Sequence, residues 1–152
     1  FIDSTMSTLP DSFNPKLQTF ASSFQADTSP QVVLNTMQYL YFYNFISKEN
    51  KSSFRNSFRV LRSLGLIYSY KGNIYLSDEV YNYYNFKDIL RDKVRNNSNY
   101  IAAKNIFFND SSISGKNLGY TLANIINKNW SESSAQRYGS AFIRWIKWVD
   151  YF

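Results

Sequence analysis

The chain has 152 residues, 44% hydrophobic and 19% aromatic, which is too apolar for a disordered polymer and long enough for one domain or two small ones. Cysteine and histidine are both absent, which removes disulfides, thiolate chemistry, zinc fingers, histidine metal ligands, Ser-His triads and Cys-His dyads together. A net charge of +6 and a pI near 9.4 point to an anionic partner without naming it.

No apolar run approaches the ~20 residues of a membrane helix, and nothing at the start resembles a signal peptide. A cytoplasmic location is compatible with the missing cysteines. The chain starts at Phe1 rather than methionine, so it reads as a fragment of a larger protein. Heavy use of Asn, Tyr, Lys and Ile suits an AT-rich genome, so aromatic richness alone is not read as a stacking signal.

Residues 1–15 are rich in Ser, Thr, Asp and Pro and read as a lead-in. Asn14 and Pro15 can start a short helix over 16–25, with Phe20 and Phe24 on one face. The run Asp27-Thr28-Ser29-Pro30 is a second start signal, with Pro30 at the first helical position. The helix it predicts, 31–46, carries Val33, Met37, Leu40, Tyr41 and Asn44 on one side. Its segment YLYFYNFI is apolar nearly all round, which predicts central burial. A strand over 39–45 is the second reading of that β-propensive stretch.

Residues 47–51 break the pattern, and Ser52 or Ser53 can cap a helix over 54–64. Its inward set is Phe54, Phe58, Leu61 and Leu64, and its outward set Arg55, Asn56, Arg59 and Arg62. Gly65 ends it as a left-handed C-cap would. Two short alternating runs, 66–70 and 74–76, flank Lys71-Gly72-Asn73 and read as a β-hairpin. A helix closing in LRSLGLI with a hairpin behind it resembles winged-helix DNA-binding domains over roughly residues 30–80. Residues 47–51 are too few for a separate helix, so 31–46 must serve as the first helix of that unit.

Ser77-Asp78-Glu79 starts a short helix that YNYYN (81–85) packs back onto the first unit. Helices are predicted over 86–95 and 98–109, joined by Asn96-Asn97, and 109–115 reads as a loop. The segment 116–148 then reads as helix, polar turn and longer helix. Leu118, Leu122, Ile125 and Ile126 recur at helical spacing, Asn127 to Trp130 form the turn, and Ser131 caps the second helix. Ala135, Tyr138, Phe142, Trp145, Ile146 and Val149 make its apolar stripe. Ser133, Gln136, Arg137, Ser140, Arg144 and Lys147 lie opposite, as a helix-turn-helix presents base-reading groups. The plain alternative is a helical hairpin with a solvated outer face.

Charge clusters in two places. Residues 48–71 carry Lys48, Lys51, Arg55, Arg59, Arg62 and Lys71 against Glu49 alone, a local +5. Residues 128–147 carry Lys128, Arg137, Arg144 and Lys147 against Glu132, a local +3. This is the footprint expected of a phosphate-tracking surface. Arg pairs bidentately with guanine and Gln or Asn with adenine. Arg55, Asn56, Arg59, Ser133, Gln136 and Arg137 are therefore expected at bases. Lys48, Lys51, Arg62, Lys71, Lys128, Arg144 and Lys147 are expected at phosphates.

Catalytic signals are weak. Glu49-Asn50-Lys51 matches the Glu-x-Lys pattern of metal-dependent nucleases, but it lies in a turn with no partner carboxylate. Asp78-Glu79, Asp88 and Asp92 read as helix-start and helix-surface acids, and no Gly-rich phosphate loop is present. No catalytic residue, metal site or cofactor is assigned to the chain.

The last helix, WSESSAQRYGSAFIRWIKWV, resembles the second unit of target-recognition regions in type II restriction endonucleases; with LRSLGLI, the resemblance covers roughly residues 30–150. It implies a mainly α fold with a small β-hairpin wing, built as tandem winged-helix/helix-turn-helix units. The expected division is a lead-in (1–29), a winged-helix-like unit (30–85) and a helix-turn-helix unit (86–152). It further implies sequence-specific binding of double-stranded DNA, with a nuclease domain elsewhere in the full-length protein. A winged-helix protein-interaction module and a transcription regulator are the alternatives.

Overall fold

A computed structural model describes residues 28–45, 54–83 and 85–151. The expected lead-in up to residue 27, the 16–25 helix, Lys48, Glu49, Lys51 and the caps Ser52 and Ser53 lie outside the described residues. The described part is mainly helical with one antiparallel hairpin. Among the described residues, no helix is long and apolar enough to cross a membrane.

Helix α1 (Pro30–Tyr43) starts where Ser29 caps the Val32 amide and Pro30 occupies the first turn. It stops at Asn44, whose φ of 69° is a left-handed conformation that Asn tolerates, three residues short of the expected end. The strand reading of 39–45 is thereby excluded up to Tyr43. Val33, Leu34, Met37 and Leu40 are buried, but Phe42 and Tyr43 are 67% and 63% exposed. The helix is thus buried on one side and not all round.

Helix α2 (Arg55–Ser63) ends in a Schellman motif: Gly65 donates to the Arg62 carbonyl and Leu66 to that of Leu61, with Gly65 at φ 73°. Strands β1 (Ile67–Tyr70) and β2 (Asn73–Leu76) follow at once. Their loop is the two residues Lys71-Gly72, both at positive φ, so Asn73 belongs to the ladder opposite Tyr70. Leu66, Ile67, Ile74 and Leu76 anchor the hairpin's inner face, while Tyr68 and Tyr75 stack across it at 5.5 Å. Helix α3 (Asp78–Tyr83) returns to α1: Tyr81 meets the Tyr41 ring at 5.1 Å and donates to Asn44.

Helices α4 (Phe86–Arg95) and α5 (Ser98–Asn109) begin at the side-chain caps Asn85 and Asn97. Helix α6 (Gly115–Ile125) is capped by Ser114, and α7 (Glu132–Asp150) by Ser131 as expected. Between them Asn127 is left-handed and Lys128 donates to the Ala123 carbonyl, a second Schellman ending. The two helices then run antiparallel with their backbones in contact. A Cβ at Gly119 would lie 2.1 Å from the Ala135 carbonyl oxygen, and one at Gly139 would lie 1.7 Å from that of Gly115. Gly115 and Gly119 are one turn apart, as are Ala135 and Gly139, so small residues make a continuous seam. Ile125, expected inside, is 57% exposed because it lies beyond that seam.

The C-terminal half of α7 is held differently. Arg91 donates to the Trp148 carbonyl and stacks on its ring at 4.5 Å, and Arg95 donates to the Val149 carbonyl. Asp150 takes Arg95 at 3.5 Å, Lys104 at 3.9 Å and the hydroxyl of buried Tyr100. The Trp145 indole donates to the Thr28 carbonyl at 3.0 Å. One cluster of buried side chains runs from Val33 to Val149.

Two outcomes follow for stability. In an open helix, Gly139→Ala would stabilise by about 1 kcal/mol through propensity. Here the added methyl must push α6 away, so urea unfolding should show a net loss near the upper end of the ~1–3 kcal/mol range for overpacking. Burial first, and then Asp150, raise the Tyr100 phenol above its ordinary pKa. Its contribution is therefore complete below the unfolded-state value of about 10 and is lost as pH rises beyond it. Tyr100→Phe should cost about 1.5–3 kcal/mol at neutral pH, as for a hydrogen bond to a charged group. It should also flatten the alkaline fall of stability seen by denaturant titration.

Candidate nucleic-acid interface

Two exposed faces carry the residues expected to bind. On α2, Arg55, Asn56 and Arg59 face outward because Phe58 and Leu61, with Ser57 and Val60, are buried behind them. Lys71 stands at the tip of the hairpin, exposed, with its ammonium 5.3 Å from the Tyr70 ring. Arg62 lies on the same helical face, but the hairpin packs against it. It is half-buried, and its Nη2 donates to the Ser69 hydroxyl on β1 at 3.4 Å.

On α7 the outward residues are Ser133, Gln136, Arg137, Arg144 and Lys147, all exposed. They stay open because Ala135, Gly139, Phe142, Trp145, Ile146 and Val149 are taken up by α6 and the core. Ser140, expected among them, is half-buried: its Oγ lies only 2.2 Å from where a Cβ on Gly115 would be, and it accepts from Gln136 at 3.4 Å. The seam between the helices turns it sideways. Lys128 is exposed in the turn before α7.

The N-terminal half of α7 also carries a feature that periodicity misses. The Arg137 guanidinium lies 5.1 Å from the Tyr138 ring and bonds its hydroxyl, and Tyr138 packs edge-on against Trp130 at 4.7 Å. Sequence reading places Trp130 in a turn and Tyr138 in the core stripe. In the fold both are half-buried and steady an exposed cation. The only local signal is their eight-residue spacing across a helix start. Trp145 is core, and Trp148 is covered by Arg91.

The ion pairs sort the cations. Among the described residues, Lys93 pairs with Glu79, Lys116 with Glu132, and Arg95 and Lys104 with Asp150. None of Arg55, Lys71, Lys128, Arg137, Arg144 or Lys147 has an acidic partner there. Burial lowers the Arg62 pKa, in keeping with its inward position. The acids expected to be structural behave so: Glu79 holds Lys93, and Asp88 bonds its own cap Asn85. Among the described residues no group of three or more acids could hold a metal ion.

The pair α6–α7 makes contact over a full turn of each helix, not only beside the connecting turn. It is a helical hairpin with one basic, polar side. No protein family matches the chain, and no curated protein or solved structure matches it either.

Proposed function

We propose that this chain binds double-stranded DNA through the outer faces of α2 and α7 and the tip of the hairpin, as the target-recognition part of a larger restriction-type endonuclease. The observation that carries the binding is that exposed Arg55, Lys71, Lys128, Arg137, Arg144 and Lys147 have no acidic partner among the described residues. A protein gains nothing in folding from clustered unpaired cations, whose mutual repulsion opposes compaction. They are useful where phosphates supply the missing negative charge and condensed counterions are released. Exposed Asn56 on α2, and Ser133, Gln136 and Arg137 on α7, give these faces groups that read base edges. The endonuclease context rests on the motif resemblance alone, with cleavage left to residues outside this chain.

A second reading, a protein-interaction module, is favoured by a different observation. Phe42, Tyr43, Phe45 and Tyr81 are all at least 40% exposed at one end of α1 and on α3. Aromatic surface of this kind marks protein partners.

Fluorescence-anisotropy titration of a random-sequence duplex at several salt concentrations separates the two. Phosphate tracking predicts a steep log–log fall of affinity, about −0.9 per contact and near −5 for six. Arg55→Ala and Arg137→Ala should each make the line shallower by about 0.9. Absence of binding at low salt would overturn the DNA reading and leave the interaction module.

A further inference from the structure

The hairpin is tied to α2 at two places. Its base is fixed by the Schellman ending and by the Ser77 amide, which donates to the Leu66 carbonyl. Its inner face is anchored by Ile67, Ile74 and Leu76. A two-stranded ribbon of four residues a side is marginal by itself, and its tip can still swing and twist. The second tie is near the tip. Ser69 lies two residues from Lys71, opposite Ile74, and its hydroxyl accepts from Arg62 in the last turn of α2. The Arg62 Nε is buried without a hydrogen-bond partner among the described residues. An arginine placed there only for solubility or phosphate binding would have no reason to bury its Nε at that cost.

We propose that Arg62 is a positioning residue, which with Ser69 holds the hairpin at a fixed angle to α2 so that Lys71 reaches a phosphate of the same duplex that Arg55 contacts. The inference rests on the DNA-binding reading above. Arg62 itself then releases no counterion, although it is one of the clustered cations. The planar fork on a long stem is what spans helix and strand, so lysine does not substitute for it.

The test uses two variants that leave the net charge unchanged, Ser69→Ala and Arg62→Lys, in the same salt titration. Each should lower the magnitude of the slope by about 0.9, as Lys71→Ala does, because the tip no longer holds its phosphate. Over one decade of salt that is about an eightfold smaller gain in affinity. Adding Lys71→Ala to Ser69→Ala should bring no further loss. A merely structural role would reduce the competent fraction and leave the slope alone, and thermal melting of each variant checks that fraction. A wild-type slope in both variants overturns the positioning role while the DNA reading stands. If Arg62→Lys keeps the slope and Arg62→Ala lowers it, Arg62 is a phosphate contact. No salt-dependent binding by the wild-type chain overturns both.

Discussion

The close backbone approach of α6 and α7 is the constraint on which the rest of the structure depends. With Gly115 and Gly119 on one helix and Ala135 and Gly139 on the other, no side chain separates the two backbones. Ridges of ordinary size would hold the helices ~8–10 Å apart and allow several rotations about each axis. Contact through glycine admits few. Once α7 is fixed in rotation, Phe142, Trp145, Ile146 and Val149 must enter the core, and Gln136, Arg137, Arg144 and Lys147 must face water.

The far end of α7 is fixed by charge instead of shape. Its last carbonyls would be orphaned acceptors, and Arg91 and Arg95 from α4 satisfy two of them. Asp150 gathers Arg95, Lys104 and Tyr100 at the same place. These cations act in the fold. They lie outside both clusters of basic residues, and the acids they use are no longer available to neutralise either face. Among the described residues, the cations of α7's outer face and the hairpin tip keep their charge unneutralised by any acidic partner.

The exposed end of α1 stands apart from this scheme. The last turns of the helix are apolar nearly all round, yet its neighbours α2, α4 and β2 cover one side, and Phe42 and Tyr43 remain in solvent. Tyr81 and Tyr41 extend the aromatic surface toward α3. These exposed aromatic rings belong to the same chain as the basic faces. The two readings of function therefore differ in which surface is taken to bind, not in the fold.

What the sequence alone determined is local. The bounds of α4 and α5, the Ser131 cap, the Pro30 start, the left-handed Gly65 and the hairpin all follow from caps, breakers and periodicity within a few residues. The basic faces of α2 and α7 were legible too, because an amphipathic helix declares its outward side through its inward one. Tertiary structure alone decided what depends on distant neighbours. Whether YLYFYNFI is buried all round depends on how many elements cover it. Arg62 and Ser140 share a helical face with exposed residues, and only the hairpin and Gly115 turn them inward. Gly115 and Gly119 look isolated in sequence, since their role is defined by Ala135 and Gly139 on another helix. Periodicity assigns a residue to a face of its own element, but burial and pairing are set by what the fold brings against that face.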